Sequence, residues 1–168
     1  QVGQKNLYWG DLHVHTAYSL DAYAFGTLKT PAQAYAFARG EAMTLQDGSI
    51  AKLDRPLDFA AVTDHAEWFD LLHICTDPQN FDDPYCNRLR KDSSVVNGSS
   101  LFVEYVIPTI TQETPQATPI CIADAEKCAE AKKSQWQRVQ DQANAANDPC
   151  NFTAQIGYEW SYTKSFSH

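Results

Sequence analysis

Three stretches of the chain carry the hydrophobic pattern of β-strands. Residues 7–15 mix aromatic and aliphatic side chains with polar ones, residues 57–63 form a compact apolar run, and residues 152–160 alternate again. Alternation is typical of half-buried strands, and a short apolar run is typical of a strand buried in a parallel sheet. The pattern therefore predicts three strands, with polar side chains at the end of each.

The segments between these strands carry helix signals. Thr30 is a good N-cap, Pro31 suits a first helical turn and Gly40 suits a helix end, which together predict a helix over residues 32–39. Residues 76–92 are rich in Asp, Asn and Pro and predict a long surface loop. Further helices are predicted over residues 66–73, from a cap at Ser99 or Ser100 through Val106, and from a cap at Asp124 through Asn147.

The order and size of these segments predict one α/β domain, which spans residues 1–168. A net charge of −8 repels phosphate backbones, so nucleic acid is not an expected partner. The apolar stretch 101–107 is interrupted by Glu104, and no run approaches the ~18 residues needed to cross a bilayer. The composition therefore predicts a globular protein without a membrane span.

The cysteines contain no C-x-x-C pair of the kind typical of structural zinc or redox sites, so disulfides are their expected use. Cys75 and Cys86 bracket part of the predicted surface loop and could staple it. Cys121 and Cys128 on one helix would lie ~10.5 Å apart along its axis. Their pairing therefore requires the chain to fold back before Asp124.

Five cysteines cannot all pair within one chain. Either Cys150 or another thiol stays free, or its partner lies outside the chain. The expected disulfides, together with a chain that opens at Gln1 without a leader, predict an exported protein, periplasmic or extracellular.

The strongest chemical signal is the sequence Asp-Leu-His-Val-His-Thr at residues 11–16. Side chains two apart on a strand point the same way, so His13 and His15 would converge while Val14 turns into the wall. Two converging imidazoles suit the capture of a metal ion. The alternative is two unrelated polar histidines on a half-exposed strand.

Polar residues also end the other two predicted strands, where sites of α/β proteins usually lie. His65 is a candidate ligand, and Asp64 either orients a ligand imidazole or caps the helix that begins at Ala66. Glu159 lies between bulky aromatics, where a carboxylate is costly to bury without a cation or a donor. Its alternative is a solvent-facing position on an edge strand. Two further candidates are Asp21 and His168.

These motifs resemble those of the PHP superfamily, named after polymerase and histidinol phosphatase. The matching stretches are Gly-Asp-Leu-His-Val-His-Thr (10–16) with Tyr-Ser-Leu-Asp-Ala-Tyr (18–23), Thr-Asp-His-Ala-Glu (63–67) and Gly-Tyr-Glu-Trp (157–160). More narrowly, the chain resembles a poorly characterised, often exported bacterial branch whose domain has no known function. The resemblance implies a portion of a distorted (β/α)7 PHP-type barrel, incomplete in this chain.

The resemblance also implies two or three divalent ions, zinc, manganese or iron, at the ends of the strands. His13 and His15 would bind one ion and His65 another, and Glu159 would bridge ions. Asp21 falls near an acidic or histidine ligand of the first motif.

The resemblance implies further roles besides these. His168 would match a later family histidine. Asp64 and Glu159 are the residues assigned to catalysis, with Asp64 and Asp11 as carboxylates that fix imidazole tautomers.

The implied activity is hydrolysis of a small anionic substrate, a phosphoester, by a metal-bound hydroxide. The chain has no Gly-x-Ser-x-Gly elbow and no Walker loop, so no rival nucleophile or phosphate cradle stands out. The C-terminal motifs of the family are absent, so the rest of the same protein or a partner chain is expected to complete the site. The alternative is a non-catalytic, metal-stabilised structural or interaction module of an extracellular or periplasmic assembly.

Overall fold

The computed structural model describes residues 5–80, 82–90, 95–108 and 117–161. These residues form a three-stranded parallel sheet, a short antiparallel hairpin and a set of helices. In chain order the elements are β1 (Gly10–Val14), α1 (Leu20–Ala24), α2 (Pro31–Ala38), β2 (Met43–Thr44), β3 (Ile50–Ala51), β4 (Phe59–Val62), a 3-10 turn (Ala66–Trp68), α3 (Phe69–Cys75), a second 3-10 turn (Pro78–Asn80), α4 (Pro84–Arg90), α5 (Val95–Leu101) continued by a π-helical turn (Phe102–Val106), α6 (Pro119–Ala123), α7 (Ala125–Ala146) and β5 (Thr153–Ile156).

Strand β4 is the centre of the parallel sheet, with β1 on one side and β5 on the other. The β4 and β5 strands pair in register, whereas the register of β1 on β4 shifts between Asp11 and Val14. Because parallel strands end at the same edge of a sheet, the residues after β1, β4 and β5 emerge side by side. The three predicted strands are confirmed, and each is shorter than its hydrophobic pattern.

Helices α2 and α7 pack on one face of this sheet. Tyr35 of α2 is buried there, and its hydroxyl donates to the Gln155 carbonyl (2.9 Å) and accepts from the Val62 N–H (3.2 Å). These two hydrogen bonds fix α2 to β4 and β5. The buried side of α7 repeats every three or four residues, as expected for an amphipathic helix. It consists of Cys128, Ala131, Gln135, Val139 and Ala143.

A second apolar cluster joins α1, α3, α4 and α5 to the first half of α7. Leu20, Leu71 and Leu101 have no exposed surface and form its centre. Burial of one leucine side chain stabilises a fold by roughly 1.5–3 kcal/mol, so this cluster is a major source of stability. It also holds α1, the helix that follows the candidate ligands His13 and His15 in the chain.

The predictions for α2 and α7 are confirmed. The Thr30 hydroxyl accepts from the Gln33 N–H (3.4 Å), and the Gln33 side-chain oxygen accepts from the Thr30 N–H (2.9 Å), which is a capping box. Asp124 caps α7 through a 2.9 Å hydrogen bond from the Lys127 N–H. The extended backbone of Asp124 also ends α6, so the chain folds back and a Cys121–Cys128 disulfide forms.

The predicted surface loop over residues 76–92 is wrong, because it contains α4. The Asp83 carboxylate accepts from the N–H groups of two residues in the first turn of α4, at 2.8 and 3.2 Å. The Cys75–Cys86 disulfide then joins α4 to α3. A local cap and a covalent link therefore stabilise a helix in a stretch whose composition favours a loop.

Two other details differ from the sequence prediction. The described part of α5 spans Val95–Leu101, so Ser99 and Ser100 lie inside it and do not cap it. The β2–β3 hairpin has no counterpart in the hydrophobic pattern. Its turn depends on Gly48, whose φ of +83° is a left-handed conformation that favours glycine.

The predicted α/β class and the parallel sheet are confirmed. An open sheet of three strands is not a barrel, and nothing in the described residues supports the barrel part of the prediction. Cys150 is an exposed free thiol, in line with the odd cysteine count. No helix in the described part of the chain is both long and apolar enough to cross a membrane.

Candidate metal centre

The candidate site lies at the carboxyl edge of the parallel sheet, where three segments meet. His13 lies near the end of β1 and His15 directly after it, whereas His65 follows β4 and Glu159 follows β5. His65 and Glu159 form an isolated parallel β-bridge. The Glu159 N–H donates to the Asp64 carbonyl (3.1 Å), which prolongs the pairing of β4 with β5 beyond both strands.

Three potential ligand atoms converge on one point. The Nε2 atoms of His13 and His15 are 3.1 Å apart, and they lie 2.8 and 2.9 Å from Oε2 of Glu159. Ligand atoms bonded to one cation at 2.0–2.2 Å stand roughly 3.0–3.5 Å apart. The donor set therefore suits a zinc, manganese or iron ion once the atoms move apart by a few tenths of an ångström. The carboxylate of Glu159 faces the two imidazoles and not only solvent.

The orientation of the His15 ring is set by Asp21. Asp21 Oδ2 lies 2.8 Å from Nδ1 of His15, and the Ser19 hydroxyl donates to Oδ1 of Asp21 at 2.5 Å. A carboxylate only accepts hydrogen bonds, so the hydrogen of Nδ1 points to Asp21. The Nε2 atom of His15 is then the one that faces Glu159, as in carboxylate–histidine–metal triads.

These contacts shift the ionisation of the first two residues. The hydrogen bond from His15 to Asp21 raises the pKa of His15 to about 9, although burial of the ring acts against it. Burial alone would raise the pKa of Asp21, but the hydrogen bonds from His15 and Ser19 hold it well below its usual range. At neutral pH the metal-free site therefore has a cationic His15 between two carboxylates.

A second group of ligand atoms adjoins the first. His65 Nε2 lies 3.7 Å from Asp21 Oδ2 and 3.9 Å from Glu159 Oε1. These gaps are too long for hydrogen bonds but are compatible with two ligands that hold one cation at a wide angle. Glu159 thus directs one oxygen to His13 and His15 and the other to His65.

The charge of Glu159 is favoured by this position. Burial opposes its ionisation, but the neighbouring His65 and His15 rings lower the pKa of the Glu159 carboxyl below its ordinary value. The carboxylate is therefore ionised and available as a ligand at neutral pH.

Asp64 hydrogen-bonds to Thr16 and to no histidine ring among the described residues. Both of its oxygens accept from Thr16, from the N–H at 2.5 Å and from the hydroxyl at 2.8 Å. Asp64 and Thr16 are each 1% exposed. Burial raises the pKa of Asp64 to about 6. Asp64 caps no described helix either, and it fastens the loop after β1 to the end of β4.

The remaining candidates lie farther from the cluster. Asp11 is exposed and accepts from the His13 N–H (3.0 Å), a contact between two residues of β1. His168 lies outside the described residues. Among a second set of possible ligands, Asp70 with Cys121 and Cys128, the two sulfurs form a disulfide and so are not ligands in this state.

The sequence pattern did not assign several side chains of the site. The Ser19 hydroxyl donates to Asp21, and its oxygen accepts from the His65 N–H at 3.1 Å. Glu67 and Ser161 surround Nδ1 of His65, at 3.6 and 3.3 Å. Ser19 and Glu67 lie within the motifs at residues 18–23 and 63–67, which is the one signal that could have identified them.

Comparison with known proteins corrects the predicted relationship. No curated protein and no solved structure matches the chain. The predicted membership of the PHP superfamily is wrong, because the family model that matches is a different one and it covers almost the whole chain. That model spans residues 2–168, and the chain belongs to the family DUF3604, described as a protein of unknown function.

Proposed function

We propose that the chain carries the metal centre of a divalent-metal-dependent hydrolase whose substrates are small phosphoesters. The observation that supports this most is the convergence of His13, His15 and Glu159 within 3.1 Å of one another, with the tautomer of His15 fixed by Asp21. A cation held there supplies Lewis acidity, which lowers the pKa of a water and stabilises negative charge on phosphoryl oxygens.

The residues of the chain have distinct tasks in this proposal. His13 and His15 bind one cation and His65 a second, and Glu159 directs an oxygen to each. Asp21 holds the hydrogen of His15 on Nδ1. His13 is the open side of the centre, since its side chain is 70% exposed whereas those of His15 and His65 are 15% and 12% exposed.

The charge of the site is compatible with an anionic substrate only when cations are bound. The centre contains the carboxylates of Asp21 and Glu159 in a chain of net charge −8, which by themselves repel a phosphoester. Two divalent cations contribute four positive charges and reverse the sign of the local field. Both substrate binding and turnover therefore depend on bound metal.

We further propose that the protein is exported and acts in the periplasm or outside the cell. The support is chemical, because the Cys75–Cys86 and Cys121–Cys128 disulfides persist in oxidising compartments. The open sheet also suggests that further residues of the same protein, or a partner chain, complete the surroundings of the site.

The test combines metal content with turnover. Native mass spectrometry and elemental analysis of the purified chain should give one or two zinc, manganese or iron ions, and hydrolysis of an aryl phosphate should stop with a chelator and return with metal. His15→Ala should abolish both, whereas His73→Asn, outside the site, should leave both unchanged. An aryl phosphatase activity that survives the chelator would overturn the proposal.

The second candidate is a metal-stabilised structural or interaction module without turnover. It is favoured by exposed apolar side chains beside the sheet, where Leu7, Tyr8, Trp9 and Tyr158 are each more than half exposed. Large apolar patches of this kind often mark contacts with other proteins. Stoichiometric metal together with raised thermal stability but no hydrolysis would select this function.

A further inference from the structure

Glu67 is a buried carboxylate beside the candidate metal centre that the proposed function leaves unused. Its side chain is 2% exposed. The Oε1 atom accepts a hydrogen bond from the Ser161 N–H, whereas Oε2 has no hydrogen-bond partner among the described residues. A buried carboxylate oxygen without a donor is energetically costly. The Nδ1 atom of His65 lies 3.6 Å away, within reach of a small side-chain adjustment.

The surroundings of His65 repeat those of His15. In each ring Nδ1 faces a carboxylate, Asp21 at 2.8 Å for His15 and Glu67 at 3.6 Å for His65. In each ring Nε2 faces Glu159, at 2.9 Å from Oε2 and 3.9 Å from Oε1. The two rings lie 4.8 Å apart, nearly perpendicular to each other. The same arrangement thus occurs twice around one shared carboxylate.

We propose that Glu67 is a positioning residue that keeps the hydrogen of the His65 imidazole on Nδ1 and leaves the Nε2 lone pair for a divalent cation. The part of this inference that concerns the cation rests on the proposed function. The part that concerns the tautomer of His65 does not, because it depends only on Glu67 and the ring.

Ser161 is the rival for this role. Its hydroxyl lies 3.3 Å from Nδ1 of His65 and donates to Oε1 of Glu159 at 3.2 Å. While it donates to Glu159 the hydroxyl can only accept from Nδ1, but it can rotate and donate its one hydrogen to Nδ1 instead, so it does not by itself fix the tautomer of the ring. A carboxylate group offers acceptor oxygens to the ring, so Glu67 favours the tautomer with the hydrogen on Nδ1. The hydrogen is therefore held on Nδ1 by the carboxylate, and the hydroxyl follows.

The substitution Glu67→Gln distinguishes the effect of Glu67 on the His65 tautomer from the effect of Ser161. Glu67 has two acceptor oxygens, one for the Ser161 N–H and one for the His65 ring, whereas glutamine has one oxygen and one NH2 group. If the amide oxygen keeps the contact with the Ser161 N–H, the NH2 group faces Nδ1 and requires a lone pair there. The hydrogen of the His65 ring then moves to Nε2, where it blocks a cation.

The tautomer is measured on metal-free protein by long-range ¹H–¹⁵N NMR with labelled histidine, with His65→Asn to assign the signals. At a pH where the His65 ring is neutral by its ¹⁵N shifts, the wild type should carry hydrogen on Nδ1. Glu67→Gln should move it to Nε2, and Ser161→Ala should leave it on Nδ1. Glu130→Gln makes the same chemical change on an exposed face of α7 and should have no effect.

Two outcomes of the NMR measurement overturn the inference. One is a wild-type His65 ring with its hydrogen on Nε2. This outcome is measured on the wild-type protein and does not depend on the folding of any variant. The other is a hydrogen that stays on Nδ1 in folded Glu67→Gln, whatever the result for Ser161→Ala. Thermal unfolding of each variant confirms that the spectra come from folded protein.

Zinc titrations followed by native mass spectrometry test the consequence for metal. Glu67→Gln should weaken the second zinc ion at least tenfold, the usual effect of removing such a partner, and the first less than threefold. If wild-type protein binds no zinc, the proposed function fails while the tautomer result still decides the role of Glu67. If zinc binds and both affinities are unchanged in Glu67→Gln, the positioning role is wrong although the metal centre stands.

Discussion

His65 and Glu159, which are 94 positions apart in the sequence, pair as a β-bridge beyond the ends of their strands. The Ala66 N–H donates to the Glu159 carbonyl at 3.0 Å. This backbone contact, and not a side-chain contact, places the shared carboxylate beside the histidines. The bridging position of Glu159 is therefore a property of the sheet, and substitution of its side chain should remove ligands without moving the chain.

Glu159→Gln tests whether the side chain of Glu159 serves as a ligand while its backbone holds the fold. An amide is a poor ligand for zinc, manganese and iron and carries no charge, so zinc affinity should fall at least 100-fold for the first ion. Far-UV circular dichroism and thermal unfolding of the metal-free variant should match the wild type, because the β-bridge uses backbone atoms. Isothermal calorimetry measures the affinity, with Glu130→Gln as control. An unchanged affinity would exclude Glu159 as a ligand.

Asp21→Asn should weaken zinc binding by about 10–100-fold, the range for loss of a carboxylate behind a ligand histidine. The amide can direct its NH2 group to Nδ1 of His15, which favours the tautomer with hydrogen on Nε2. The matched control is Asp54→Asn, since Asp54 is exposed and remote from the site. Competition with a fluorescent zinc indicator gives both affinities. Equal affinities for Asp21→Asn and Asp54→Asn would contradict the role given to Asp21.

Zinc binding should release a proton at neutral pH. The hydrogen bond to Asp21 raises the pKa of His15 to about 9, so the metal-free ring is protonated at pH 7 and must lose the proton to bind a cation. Affinity should therefore rise by roughly tenfold per pH unit up to about pH 9 and level off above it. Calorimetry in buffers of different ionisation enthalpy counts the proton. Identical heats in all buffers would mean that His15 is already neutral.

Thr16→Val should destabilise the protein by about 1.5–3 kcal/mol, the range for a hydrogen bond to a charged group. The substitution keeps the shape of the side chain but removes the hydroxyl that donates to the buried Asp64. Thr153→Val, at an exposed position of β5, should change stability by less than about 0.5 kcal/mol. Urea unfolding of metal-free protein measures both. If the free energy of unfolding falls in Thr153→Val but not in Thr16→Val, the Thr16–Asp64 contact does not stabilise the protein as predicted.

Removal of one disulfide by the double substitution Cys75→Ala and Cys86→Ala should cost about 2–4 kcal/mol of stability and leave zinc affinity unchanged. The disulfide joins α3 to α4, and neither cysteine contacts a candidate ligand. Unfolding and zinc titration of the variant, at a temperature where it is folded, test both parts. Loss of zinc binding in a folded variant would show that α4 supports the site.

Sequence patterns predicted the parts of the structure that depend on local rules. Thr30 and Asp124 act as helix caps through atoms three residues away, and the His-x-His pattern places His13 and His15 together at one strand end. Helix α4 was missed because the interactions that stabilise it include a disulfide to another helix, which composition does not reveal.

The rest of the site depends on contacts between distant segments. Asp64 was expected to cap a helix or to orient a ligand imidazole, yet its oxygens bind Thr16, 48 positions earlier. Glu67 meets Ser161, 94 positions later. No local spacing encodes such contacts, so the sequence identified the histidines but not the carboxylate behind His65.

The position of β5 has a consequence for the order in which the chain folds. Residues 10–75 contain β1, β4 and the histidines, but Glu159 joins them only when β5 pairs with β4. Both disulfides close short loops, with separations of 11 and 7 residues, and neither links the three segments that supply ligands. Contacts of such long sequence separation form slowly. If the proposed centre binds metal, we expect high-affinity uptake to be a late event, and its appearance during refolding would report the docking of β5.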